Sequence, residues 1–150
     1  EKIFSEHSFK YLNVGKNIKS IEKDINNSIQ LLNECDAIIF SYPVYTFIAP
    51  CQLHRFIELL KDAKPDLSAK FATQITTSKH FYDMTAHRYV QDNCADLGLK
   101  YIRGLSADMD DLTTKQGQHE AVEFFRYLCW SVKNNIFEFS LKYNLSSTIA

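Results

Sequence analysis

A chain of 150 residues, 45% hydrophobic and 23% charged, has the size and composition of one globular domain with a sizeable core. Its formal net charge is -1 and no long run carries one sign, so nothing electrostatic points to nucleic acid or to a membrane surface as partner. No apolar stretch approaches the roughly 20 residues needed to span a bilayer, and residue 1, which is not Met, reads as a cut or processed end.

The first recognisable element is residues 9–14, where Phe9, Tyr11 and Leu12 suggest a short strand stopping at Gly15. Residues 17–33 carry Ile18, Ile21, Ile25, Ile29 and Leu32 at helical spacing above a polar face, which predicts one amphipathic helix. Asp36 then leads into the unbroken apolar run Ala37-Ile38-Ile39-Phe40. Such a run suits a strand covered on both faces, as in a parallel sheet. Ser41-Tyr42-Pro43-Val44-Tyr45 follows. Pro43 cannot donate to a ladder and pushes Tyr42 out of the helical region, so the chain is expected to leave the sheet at Ser41.

A second helix is expected over 50–61, with Pro50 at its first position and Leu53, Phe56, Ile57 and Leu60 as its apolar stripe. Residues 70–77 read as a strand running into Thr76-Thr77-Ser78-Lys79-His80. A third helix is expected over 83–97, facing inward through Ala86, Tyr89, Val90, Cys94 and Leu97 and stopping at Gly98. Residues 100–105 read as a strand, and 114–134 as a long helix striped by Ala121, Phe125, Leu128, Cys129 and Val132. Residues 136–150 form a tail whose segment 136–141 could extend onto a neighbour.

The order β-α-β-α-β-α-β-α with short connections predicts a single α/β domain: a parallel sheet with helices on both faces. Three strand ends then share one edge, carrying 41–47, 76–82 and 106–110. Ligands of open parallel sheets sit at that edge. The first two segments combine aromatic rings with hydroxyls, which suits a planar, partly apolar ligand with a hydrogen-bonding rim. The same rings, Tyr42, Tyr45 and Phe81, would also serve as a plain cover over the sheet edge.

Residues 36–45, followed by Ala49-Pro50-Cys51-Gln52-Leu53-His54-Arg55-Phe56-Ile57, resemble the flavodoxin-like NAD(P)H-dependent FMN reductase family. Thr76-Thr77-Ser78-Lys79-His80-Phe81 and Leu105-Ser106-Ala107-Asp108-Met109 fall where that family has its later strand-end loops. The resemblance covers roughly 9–134. It implies a flavodoxin-like fold, bound FMN, NAD(P)H as electron donor, an acceptor that it leaves open, and a homodimer. On it, Ser41, Tyr42, Pro43, Val44 and Tyr45 border the isoalloxazine, while Thr76, Thr77, Ser78 and His80 reach its polar edge or the ribityl chain. No catalytic side chain is expected, because hydride transfer to a flavin requires no acid–base dyad from the protein.

Two departures stand out. The family's opening strand and its Gly-Ser-Pro-Arg-like phosphate loop have no counterpart, so the sheet is expected to lack its first βα unit and to show a gap between two neighbours. Removal of that unit is the expected cause, rather than loss of the phosphate site. His54 and Glu58 replace the family's Lys/Asp pair in the helix after Pro50. The runner-up is a flavodoxin-like electron carrier or interaction module without enzymatic activity.

Other groupings read more simply. Asp83 and His87, one helical turn apart with His80 nearby, fall short of a metal ligand set, so a helix-start aspartate and a surface histidine are expected. Asp108, Asp110 and Asp111 suit the capping of a turn. Cys35, Cys51, Cys94 and Cys129 form no C-x-x-C pair and are expected as buried, reduced thiols in a cytoplasmic protein. Phe124, Phe125, Tyr127 and Trp130 exceed what one helix face can hide, which makes a dimer surface the alternative to core packing.

Overall fold

The computed structural model describes residues 3–79 and 82–138. Residues 8–13 run without strand structure into helix α1 (Val14–Lys23), whose first turn is capped by Asn13 accepting from the Lys16 N–H at 3.0 Å. The strand expected at 9–14 therefore does not form; among the described residues no strand lies beside it to pair with. The helix expected over 17–33 is two helices, α1 and α2 (Asn26–Asn33). Asp24 is extended, and its carboxylate accepts from the Asn26 N–H at 2.9 Å, offering the backbone a local bond that ends one helix and opens the next. The apolar stripe survives the break, since Ile18, Ile21, Ile25, Ile29 and Leu32 all join one cluster.

Strand β1 (Ala37–Val44) leads through α3 (Cys51–Ala63) to β2 (Phe71–Ser78), and β2 through α4 (Met84–Asp96) to β3 (Lys100–Tyr101) and β4 (Leu105–Asp108). A 3-10 turn at Asp111–Thr113 precedes α5 (Lys115–Asn134), which Thr114 caps by accepting from the Gly117 N–H at 3.0 Å. The strands are parallel. β2 is central, with β1 on one side and both β3 and β4 on the other. The strand expected over 100–105 is thus interrupted at 102–104. A Cβ on Gly104 would lie 2.5 Å from the Gln74 Cγ and 2.6 Å from its carbonyl oxygen, so only glycine lets the backbone pass β2 this closely.

Helices α1 to α4 cover one face of the sheet, where Phe40, Tyr42, Val44, Phe56, Ile57 and Val90 form the main core. Helix α5 covers the other through a smaller cluster of Phe71, Ile102 and Leu128, joined by half-buried Ala37 and Ile39. Helices on both faces were expected. Glu138 forms an antiparallel bridge to Tyr101 and donates its N–H to the Tyr101 carbonyl at 2.7 Å; the rest of the tail lies outside the described residues. Among the described residues, no helix is long and apolar enough to cross a membrane.

Three local expectations need correction. β1 does not end at Ser41 but stays paired with β2 to Val44, through Pro43. The Asp36 carbonyl accepts from the Phe71 N–H, so the even residues of β1 aim their ladder groups at β2 and the odd ones aim theirs outward. Pro43 is odd, and its missing N–H costs no bond on the open edge. Pro50 occupies the cap position before α3 rather than its first turn. Of the cysteines only Cys94 is fully buried; Cys35 and Cys129 are half-buried and Cys51 is exposed.

The expected gap lay between two strands, whereas here, among the described residues, a strand stands on one side only. A cavity of about 490 Å3 lies between residues 10–15 and the outer edge of β1, lined among others by Lys10, Leu12, Val14, Ile38, Phe40 and Tyr42. The parity of β1 makes this edge testable. In D2O, the outward amides of Ile39 and Ser41 should exchange faster than those of Ile38, Phe40 and Tyr42, followed by NMR. Equal protection of both sets would show the outer edge to be covered.

Candidate functional site

The register places Val44, Ser78 and Asp108 level with one another, so the connections after β1, β2 and β4 leave the sheet at one edge. That convergence was the basis for seeking a site here. The nine residues assigned to it from sequence separate by the pleat. Ser41 and Pro43 are exposed on the α5 face, whereas Tyr42 and Val44 alternate into the core at 6% and 5% exposure. Tyr45, at the top of the strand, is 80% exposed. Thr76 and Ser78 are buried and Thr77 half-buried. His80, with Phe81, lies outside the described residues. The side chains of Tyr42, Val44 and Thr76 are therefore turned away from any ligand above the edge, and their hydroxyls, where present, are used inside the protein.

At the edge itself, two rings that sequence reasoning did not single out come together. Phe47, from the β1–α3 connection, and Tyr82, from the β2–α4 connection, lie 5.5 Å apart at 49°. Both are more than half exposed, as is Ile48 beside them. Phe47 adopts φ +65°, in the left-handed region that a bulky side chain seldom occupies. Such strain persists only where surrounding structure imposes it, and it concentrates at binding sites.

Below the rings lies a buried polar layer. Gln74 is fully buried on β2. Its Oε1 accepts from the Tyr42 hydroxyl at 2.6 Å, and its Nε2 donates to the His87 carbonyl at 2.9 Å and to the Tyr101 oxygen. Burial pushes the Tyr101 hydroxyl up to about 12 and Tyr42 higher still, so both remain donors or acceptors rather than charges. One turn further along, the Thr76 hydroxyl donates to the Asp83 carboxylate, and Ser106 donates to the same oxygen at 2.6 Å. His87 Nε2 lies 2.7 Å from Thr76 Oγ1 and 3.4 Å from the carboxylate. With the single Thr76 proton committed to Asp83, the His87 ring donates through Nε2. Asp83 is only 3% exposed and His87 is half-buried, which corrects the expectation of a surface histidine. Asp83 and His87 do share a helix face, but their partners there are hydroxyls. Asp111 caps the acidic segment, accepting from the Asp108 N–H at 2.9 Å.

Ser78 is the exception in this layer. Its hydroxyl is buried at the carboxyl end of β2 and has no hydrogen-bond partner among the described residues. A buried polar group without a partner calls for one.

The sequence model of the family described as NADPH-dependent FMN reductase matches residues 4–110 of the chain. Among solved structures, an NADPH-quinone reductase from P. pentosaceus is similar over 84% of this chain and 82% of its own, with a TM-score of 0.62 and 16% identity. A mutant flavodoxin from Pseudomonas aeruginosa is similar over 65% of this chain and 67% of its own, with a TM-score of 0.51 and 15% identity. A flavodoxin from the domain Archaea is similar over 82% and 95%, with a TM-score of 0.52 and 14% identity. At these identities the likeness is one of fold. No curated protein sequence matches the chain.

The His87 environment has a consequence for pH. Burial lowers its pKa from 6.5; nearby Asp83 raises it in part, and Arg103 lowers it further. Below pH 6.5 the unfolded chain therefore binds more protons than the folded one at this site, and stability falls as pH drops from 6.5 toward the folded value. Melting temperatures measured from pH 7.5 to 5 should decline below 6.5, and His87→Gln should flatten that decline. An unchanged slope in the variant would show that the acid sensitivity arises elsewhere.

Proposed function

The chain belongs to the NADPH-dependent FMN reductase family, and on that premise we propose that it is an FMN-dependent oxidoreductase, passing electrons from NAD(P)H through the flavin to an acceptor. The observation that carries this reading is the meeting of the Phe47 and Tyr82 rings at the carboxyl edge, with exposed Tyr45 on the same connection as Phe47. Exposed rings lying in contact are what a flat heteroaromatic ligand needs for stacking.

The residues fit the ring end of FMN. Tyr45, Phe47 and Tyr82 would hold the ring faces, and the unpartnered Ser78 hydroxyl, with Thr77, would serve its polar rim. Bound flavin supplies the redox chemistry itself. The chain's part is to orient the ring and to exclude water from it, while Asp83 and His87 stay below the edge, engaged with Thr76 and Ser106. The phosphate end finds no equivalent fit. The four glycines are Gly15 in α1, Gly98 after α4, Gly104 before β4 and Gly117 in α5, and none opens a Gly-Ser turn from a strand into a helix.

That missing fit favours one alternative specifically, a flavodoxin-like carrier or interaction module. The homodimer belongs to the proposal as well. Tyr127 and Trp130 stack on the outer side of α5, 6.0 Å apart and about half exposed, and offer a surface for a second copy of the chain; sedimentation tests it.

The deciding experiment is a visible absorption titration with FMN, then with NADPH and NADH. A flavin band that bleaches on adding nicotinamide supports the reductase; binding without bleaching supports the carrier; no binding supports the interaction module. Tyr82→Ala and Phe47→Ala should each weaken flavin binding by about two- to tenfold. Riboflavin and FMN should bind these 150 residues alike, since ring contacts dominate. A strong preference for FMN would point to a phosphate contact that this reading omits.

A further inference from the structure

Thr76 on β2 and Ser106 on β4 are register partners, and both hydroxyls donate into the same Asp83 carboxylate oxygen. Asp83 sits at the cap position of α4, yet its side chain caps no helix N–H. The carboxylate is spent on joining two strands to the start of a helix instead. The residue immediately before it is Tyr82, whose ring meets Phe47. Thr76 lies two residues before Ser78, whose buried hydroxyl lacks a partner among the described residues. The clasp therefore holds both described ends of the β2–α4 connection, and the groups nearest the edge stand next to its two anchor points.

We propose that Asp83 is a positioning residue of the ligand site: by gathering Thr76, Ser106 and His87 it fixes Tyr82 against Phe47 and sets the ring-binding surface before any ligand arrives. This deepens the reading above and rests on it for the identity of the ligand, a flat heteroaromatic ring such as that of FMN. Three features argue for the role. The carboxylate is buried and collects hydroxyl donors from two separate strands, with the His87 ring of α4 beside it at 3.4 Å, a costly arrangement for mere helix attachment. Its donors are register partners two residues short of the carboxyl ends of β2 and β4, so the clasp ties the two strands together just below the edge. Phe47 keeps a strained backbone opposite Tyr82, which needs a rigid counterpart. Pre-setting a binding surface lowers the ordering cost paid on association.

The test compares Asp83→Asn, Thr76→Val, Thr76→Ser and the milder Ser106→Ala in the full chain. Two quantities are read: native-state trypsin cleavage after the exposed Lys79, without ligand, and the dissociation constant for FMN by fluorescence quenching. Asp83→Asn and Thr76→Val should speed cleavage and weaken FMN by about three- to tenfold, the range of one or two hydrogen bonds. Ser106→Ala should do so less, and Thr76→Ser, which keeps the hydroxyl, should restore wild-type values. Variants that melt earlier while cleavage and affinity stay unchanged would overturn the proposal, as would a Thr76→Ser that behaves like Thr76→Val. Should wild-type chain bind no FMN, the flavin reading falls, and cleavage after Lys79 still decides the clasp by itself.

Discussion

The site depends on one constraint: β2 is hydrogen-bonded on both edges and covered on both faces, yet it carries polar side chains. Thr73, Gln74 and Thr76 are wholly buried and Ser78 nearly so. Polar groups in such a place must find partners or destabilise the fold. Gln74 draws in Tyr42, Tyr101 and the His87 carbonyl; Thr73 reaches the Arg103 carbonyl at 3.3 Å; Thr76 takes Asp83 and His87. These three demands are met by β1, by the β3–β4 segment or by α4, and Ser78 alone is left without a partner among the described residues. Satisfying β2 thereby pins the first turn of α4 to the sheet and brings the connections above into a defined place.

Much of this was legible because it rests on apolar period. The stripe of Ile18, Ile21, Ile25, Ile29 and Leu32 named a helical region correctly although Asp24 divides it, since a stripe reports which face is buried and not whether the backbone is continuous. The parallel sheet and its carboxyl edge followed from element order alone. What failed was local and tertiary. Taking Pro43 as the end of β1 hid the alternation that continues beyond it, with Phe40, Tyr42 and Val44 inward and Ser41 and Pro43 outward. A proline stops a strand only when its ladder side is occupied, and edge position is decided by neighbours that the local sequence does not show. Residues 9–13 illustrate the same dependence, since a strand-like composition forms no strand without a partner beside it.

Asp83 and His87 show a different limit. Their spacing revealed a shared helix face, but not that β2 and β4 would present Thr76 and Ser106 to it in register. The difference between a surface pair and a buried clasp lies in the strands on either side of the helix in sequence, whose pairing with each other the spacing does not show. Phe47 and Tyr82 were hidden for a related reason, because each sits on a connection whose path is set by what it joins. The resulting edge has two tiers. Below, hydroxyls, an amide and a carboxylate are buried and, Ser78 apart, satisfy one another; above, rings are exposed. The lower tier resists movement because breaking any bond strands a buried polar group. The upper tier can accept a ligand because its rings are more than half exposed.

Charge orients what such an edge can hold. The β4 end carries Asp108, Asp110 and Asp111 within four positions, while the β1 side opens onto the cavity along its outer edge. Like charges held a few ångströms apart repel, more strongly where protein replaces water. An anionic group at this edge is therefore disfavoured over β4. On the β1 side Ile39 and Ser41 aim their N–H groups away from β2, the kind of donor an added strand would use. The polar side chains of β2 thus fix the connections that carry the aromatic pair, while the outer side of β1, lined by the cavity, is where an added strand has room.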